Sequence, residues 1–211
     1  MKISGGLKEE GVVVGNAYDK YGSGHPIVRR LVRGFDNALS DLVKEAMPKF
    51  VHEIGCGEGF WVVKWNREGF DARGTDFSGK VIDIARDNAV EMGVSPKIFT
   101  TRSIYELSKN EDSADLVVCC EVLEHLEHPK EGLAALARIA RQHVILSVPR
   151  EPLWRALNMM RFKYLCSLGN TPGHVQHWSK TKFVQLAENY FRVVRVRTPL
   201  PWTMVLCKAL K

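Results

Sequence analysis

The run Val51-His52-Glu53-Ile54-Gly55-Cys56-Gly57-Glu58-Gly59-Phe60 constrains this chain more than any other stretch. It reads as a buried strand that ends in a glycine-rich turn and opens a helix, an arrangement that seats a nucleotide-like cofactor. Gly55, Gly57 and Gly59 can take positive φ and let a ligand approach the backbone. The helix after Gly59 aims free N–H groups and a partial positive charge at an anionic group. Asp76, in Gly74-Thr75-Asp76-Phe77, follows about 20 residues on, where a second strand ends beside the first and a carboxylate can meet ribose hydroxyls. The competing readings of the glycines are a tight turn without a ligand and a dinucleotide-binding dehydrogenase. Against the latter, the spacing is G-x-G-x-G and not G-x-G-x-x-G.

Strands and helices alternate around this unit. Pro26 opens a helix whose apolar residues Ile27, Val28, Leu31, Val32, Phe35, Leu39, Leu42, Val43 and Ala46 recur at helical spacing until Pro48, which predicts an amphipathic helix on the core. A strand near 50–54, a helix from Phe60, a strand near 72–76 and a helix between Ser78 and Gly93 follow. A strand near 97–101, the apolar run Leu116 to Cys120, a helix from Pro129 and a strand from His143 to Val148 continue the pattern. Such a rhythm predicts an α/β fold, a mostly parallel sheet with helices on both faces. After a helix opened by Ser179 it breaks, because the strands Arg192 to Arg197 and Trp202 to Cys207 are joined only by Thr198-Pro199-Leu200-Pro201. So short a link excludes a parallel crossover and predicts an antiparallel hairpin at one side of the sheet.

The 211 residues, 45% hydrophobic and 26% charged, suit a single structural domain. Residues 1–47 are expected to form an N-terminal segment and helix on the core, and 48–211 the main domain with a cap insertion at about 149–178. No window approaches the ~18 apolar residues of a membrane span, and the N-terminus shows no signal-peptide core, so a cytoplasmic protein is expected. Five cysteines without a C-x-x-C pair read as reduced core thiols. The net charge of +6 favours acidic partners, but its Lys and Arg form no block with interleaved aromatics, so there is no strong nucleic-acid signal.

With Glu53-Ile54-Gly55-Cys56-Gly57-Glu58-Gly59, Asp76, Glu121-Val122-Leu123-Glu124-His125 and the closing hairpin in order, the chain resembles the class I S-adenosylmethionine-dependent methyltransferases, in particular the small-molecule branch that includes the quinone-biosynthesis methyltransferases. The resemblance implies a Rossmann-like, seven-stranded sheet with the cofactor across the carboxyl ends of its strands. It implies that Glu53 and the loop Gly55, Cys56, Gly57 and Gly59 hold the methionine end, that Asp76 binds the ribose and that Phe77 flanks the adenine. Ser103 and Ile104 fall where the family meets the adenine, with Ser103 in place of the frequent acidic residue. Glu121 would line the cofactor near its reactive sulfur. Tyr18 and Tyr21 would fold over the bound cofactor, where aromatic faces attract a sulfonium cation; a surface-packed N-terminus is the alternative.

The activity implied is methyl transfer from S-adenosylmethionine, leaving S-adenosylhomocysteine, to a small or carrier-linked metabolite, onto oxygen. The alternatives are nucleic-acid or protein methylation and a non-catalytic cofactor-binding module. A hydroxyl acceptor calls for a base, and a neutral histidine serves. His125 is one candidate, against a loop histidine that only bonds backbone. His174 and His177 of Gly173-His174-Val175-Gln176-His177-Trp178-Ser179 are two more, on the same rim, against a reading in which His177 and Trp178 pack the helix entry. Glu121, His125 and His128 lack the H-E-x-x-H spacing, so no metal is expected. The segment 149–165, with Trp154, Met159, Met160 and Phe162 beside Arg155, Arg161 and Lys163, reads as a lid on the core or as a peripheral contact with an anionic membrane in which Trp154 takes part.

Overall fold

The computed structural model describes residues 1–9, 12–16 and 22–210. Tyr18 and Tyr21 therefore lie outside the described residues. Two short strands, β1 (Lys8–Glu9) and β2 (Val12–Val13), pair antiparallel ahead of α1 (Pro26–Ala46). Then come β3 (Phe50–Ile54), α2 (Phe60–Arg67), β4 (Asp71–Asp76), α3 (Gly79–Glu91), β5 (Phe99–Thr101), α4 (Lys109–Asp112), β6 (Ala114–Cys120), α5 (Pro129–Ile139) and β7 (Ala140–Pro149). The chain closes with α6 (Leu153–Met160), α7 (Lys180–Glu188), β8 (Phe191–Arg197) and β9 (Trp202–Ala209).

The main sheet has seven strands in the order β5-β4-β3-β6-β7-β9-β8. The pairs from β5 to β7 are parallel, and β9 runs antiparallel to both β7 and β8, as the short link between the last two strands requires. Strand order reverses between β3 and β6. The connections after those two strands lead to opposite sides, and an open α/β sheet binds ligands in the crevice this leaves at the carboxyl ends. β9 enters the sheet at the same end, since Trp202 pairs with Pro149 at the last position of β7.

Each face of the sheet carries its own core. One contains Phe35, Leu39 and Leu42 of α1, Trp61 and Trp65 of α2 and Ile82 and Ala85 of α3; the other contains Leu133 and Leu136 of α5 and Phe183 and Ala187 of α7. β6 is apolar on both faces because both are covered, which is why it reads as a continuous apolar run. Only the second half of α1 follows its apolar pattern into the core: Ile27 is 65% exposed, and burial begins at Phe35. None of the described helices is long and apolar enough to cross a membrane.

His52, fully buried on β3, donates from Nδ1 to the Asp112 carbonyl oxygen at 2.8 Å. Burial, with Arg73 and Arg102 adding repulsion, pushes it from 6.5 down to about 4. The unfolded chain takes up this proton at the higher pH, so the native state keeps its full stability above 6.5 and loses it as pH falls toward 4. The difference corresponds to roughly 3 kcal/mol. Urea unfolding at about pH 7.5 and about pH 4.5 should therefore show wild type losing about 2.5 kcal/mol more than His52→Gln. Equal losses would assign the acid sensitivity elsewhere.

Candidate active site

The backbone between β3 and α2 takes positive φ at Gly55, Gly57 and Gly59 (74°, 53° and 79°). Their reasons differ. A Cβ at Gly55 would lie 2.3 Å from Val122 Cγ2, and one at Gly59 would lie 2.5 Å from Phe99 Cζ, so these two positions are closed by the protein itself. A Cβ at Gly57 meets nothing within 4 Å, and there the backbone faces open space. The loop is tied to β4 by Gly55 N–H and Cys56 N–H, which both donate to the Thr75 carbonyl oxygen (2.7 and 3.0 Å).

Asp76 sits across from Gly57. Its Oδ2 accepts from Gly57 N–H and its Oδ1 from Ser78 N–H, each at 3.0 Å. Burial raises its pKa, and these two N–H groups oppose the rise. Each oxygen keeps a lone pair, so the carboxylate can accept from a diol without losing its place. An open glycine backbone opposite a fixed carboxylate is the arrangement that fits the ribose and amino-acid ends of a nucleoside cofactor. Glu53 is 3% exposed near the end of β3, and Phe77, half exposed, directly follows Asp76.

The loop after β6 supplies the other wall. Glu121 takes φ +60, a left-handed conformation that costs a non-glycine residue roughly 1–2 kcal/mol. It is held there by its N–H on the Ser147 carbonyl (3.1 Å) and by its carboxylate, which accepts from Ser147 Oγ (2.9 Å) and Trp202 Nε1 (2.6 Å). A series of rings leads away from that carboxylate. Trp202 lies 5.8 Å from Trp154, Trp154 stacks on His174 at 5.9 Å, and His174 meets His125 edge-on at 4.9 Å. Phe35 of α1 packs edge-on against Trp202 at 5.1 Å and ties α1 to this wall. Burial, with His125 and His177 adding repulsion, pushes His174 down to about 3, so its ring is neutral. His125 is exposed, and its Nδ1 donates to the Gly173 carbonyl at 2.9 Å, which leaves Nε2 as the ring's acceptor.

The histidines assort in a way their spacing does not show. His125 and His174 come together with the buried Glu124, one ligand atom of each lying within 4.8 Å of the other two, a set that can hold a cation. His177 is apart from them, exposed and bonded through Nε2 to Asn170 Oδ1 (2.7 Å). His128 is also exposed, at the start of α5. Cys56 turns inward against Gly74, so only its backbone borders the opening. Ser103 caps a short 3-10 helix at 104–106, its Oγ accepting from Tyr105 N–H, while Ile104 is buried beside Gly132. Trp154 is partly buried against the ring series, and its Nε1 donates to Thr171 Oγ1 at 2.9 Å. Trp202, Ser147 and Glu124 were not among the residues picked out by sequence. Trp202 and Ser147 reach the rim through strand register, which one strand's residues cannot reveal, while Glu124 lay within the recognised motif, whose sequence does not show that it meets His174 in space.

Curated proteins similar to the chain include the ubiquinone biosynthesis O-methyltransferase of Hahella chejuensis, 37% identical over 100 residues, which are 46% of this chain and 42% of that protein. The enzyme of the same name from Aeromonas salmonicida is 28% identical over 123 residues, 57% of this chain and 52% of its own length. The chain thus spans about half the length of the curated relatives it matches. Among solved structures, the magnesium protoporphyrin IX methyltransferase of Synechocystis PCC 6803 with bound S-adenosylhomocysteine superposes with a TM-score of 0.67 at 21% identity, covering 90% of this chain and 91% of that one, which speaks to the fold. The family model of the methyltransferase domain matches residues 29–195, and the chain belongs to that family, with the fold of the class I S-adenosylmethionine-dependent methyltransferases.

Proposed function

We propose that this chain transfers a methyl group from S-adenosylmethionine to a hydroxyl oxygen of a small or carrier-linked metabolite. The observation that carries the reading is the unbroken wall from Glu121 through Trp202, Trp154 and His174 to His125, which stands at the carboxyl end of the sheet beside the Gly57–Asp76 opening. The cofactor's sulfonium supplies an electrophilic methyl, so the protein's task is alignment, which can contribute up to about 7–11 kcal/mol. Gly57 and Asp76 fix the donor side. The aromatic wall gives an acceptor a series of ring faces and edges to pack against, and His125 Nε2 offers a base at its end. The curated relatives' names support oxygen as the atom methylated. β6 leads into Glu121-Val122-Leu123, without the Asn/Asp-Pro-Pro-aromatic motif of amino-group methylases, which disfavours bases and glutamine as acceptors.

A second reading is favoured by the Glu124, His125 and His174 cluster. A divalent cation there would acidify the acceptor hydroxyl, whose proton would then pass to solvent water and not to His125.

The carrier-linked form of the acceptor is supported by the insertion. Met160, Phe162, Leu165 and Leu168 are 76%, 84%, 50% and 67% exposed, and Arg161 and Lys163 are exposed among them. An apolar surface of that size with cations in it suits an anionic lipid bilayer.

Calorimetric titration with S-adenosylhomocysteine should give micromolar binding that Asp76→Ala weakens at least tenfold, about 1.4 kcal/mol; an unchanged affinity would remove Asp76 from the donor site. In an acceptor assay, His125→Gln should lower kcat by about 100-fold at unchanged S-adenosylhomocysteine affinity. Chelation distinguishes the two roles of that histidine: activity that survives chelator supports the base, and activity lost and then restored by added divalent metal supports the cation. The protein should sediment with vesicles containing anionic phospholipid, and Phe162→Glu should abolish this, whereas equal sedimentation of both would sink the bilayer contact.

A further inference from the structure

Glu58 stands inside the glycine loop, yet its carboxylate is buried, 3% exposed, beneath residues near the N-terminus. Its Oε1 accepts from Ser4 N–H (3.0 Å), Ser4 Oγ (2.8 Å) and Asn16 N–H (2.7 Å), and its Oε2 accepts from Asn16 Nδ2. Burial alone would raise this carboxyl, but the donors from Asn16 and Ser4 outweigh it and hold Glu58 below the usual carboxylate range. The approach is close: a Cβ on Gly15 would lie 2.6 Å from Glu58 Oε1, and Gly15 has φ +63. Strands β1 and β2 and their flanks thus form a strap whose two ends, at Ser4 and Asn16, converge on one anion.

The strap has two further anchors. Asn88 of α3 exchanges hydrogen bonds with the Lys2 backbone (2.6 and 3.0 Å) and donates to the Glu58 carbonyl at 3.0 Å. Glu9 accepts from the hydroxyl of Ser78, the residue whose N–H holds Asp76 Oδ1. The strap is therefore fastened to the loop after β3 and to the loop after β4, the two segments that the Gly57–Asp76 hydrogen bond joins. A helix-capping serine and a glycine-loop glutamate that both turn to the strap, and not toward the opening, couple those loops from behind.

We infer that Glu58 is a positioning residue: it clamps the N-terminal strap across both cofactor loops, and cofactor affinity depends on that clamp. A carboxylate suits the site because it accepts from all four donors at once, whereas an amide would have to turn the Asn16 side chain over to avoid setting N–H against N–H. The coupling is reciprocal, so the cofactor must tighten the strap by the same factor by which the strap tightens the cofactor.

The test combines calorimetry with amide hydrogen exchange, using S-adenosylhomocysteine as the probe and resting on the reading that this loop pair binds it. The amides to follow are Gly5, which donates to Asn16 O (3.1 Å), and Val14, which donates to Leu7 O (2.9 Å). In wild type, saturating S-adenosylhomocysteine should slow their exchange about tenfold, and Glu58→Gln should bind about tenfold more weakly, with exchange that no longer responds to ligand. Asn16→Asp sets a second carboxylate against Glu58 while leaving every residue of the glycine loop in place, and it should weaken binding in the same direction. Strap exchange indifferent to ligand in wild type, or variants that free the strap but bind as tightly as wild type, would overturn the inference. Failure of wild type itself to bind S-adenosylhomocysteine is a separate result, one that removes the donor-site reading before any variant is compared.

Discussion

The meeting of Gly55 with Val122 is the contact on which the site depends. The loops after β3 and β6 diverge from adjacent central strands, and their approach is fixed by a methyl group lying where the Cβ of any other residue would be. A larger residue at Gly55 would push Val122 away, and Glu121, one residue back, is already in the left-handed region. Glu121 tolerates that conformation because Ser147 and Trp202 hold its carboxylate and Ser147 holds its N–H. The two walls of the candidate site are thus joined through one glycine, with β7 and β9 bracing the far side.

That brace explains why the antiparallel last strand matters to function. A parallel β9 would bring its carboxyl end to this rim; run antiparallel, it brings its first residue, Trp202, level with Pro149. The indole then reaches Glu121 with its N–H and Trp154 and Phe35 with its rings, so elements from both ends of the sequence converge on one side chain. Both Trp N–H groups in this wall are paired, which lets the rings be partly buried without an unsatisfied donor.

What could be read from the sequence follows the range of each interaction. The strand, turn and helix around Gly55 to Gly59, the Asp76 position, the Ser78 and Ser179 caps and the closing hairpin are all local patterns, and the structure has them where the residues place them. Ile27 to Val32 carry the same periodicity as the rest of α1, yet lie largely beyond the core, because periodicity states which face is apolar and not how far the covering layer extends. His174 and His177 looked equivalent three residues apart, but Val175 and Gln176 N–H both bond the Glu124 carbonyl, and that long-range pair of bonds turns one ring toward His125 and the other toward Asn170. Trp154 reads as part of a lid or of a membrane contact, and the α6 sequence does not disclose that its ring stacks on His174.

Glu58 illustrates the same limit from within the most legible motif in the chain. In G-x-G-x-G the glycines announce themselves through conformation, whereas the intervening residues are free to differ, and nothing near Glu58 in sequence needs a buried anion. Its partners, Ser4 and Asn16, are more than 40 residues away, |i−j| being 54 and 42. A buried carboxylate persists only where donors surround it, since desolvation otherwise drives it to neutralise. The four donors gathered on Glu58 therefore identify a feature built around its charge. Because that charge sits on the glycine loop proposed to hold the methyl donor, the order of the N-terminal strap and the shape of that loop belong to one equilibrium.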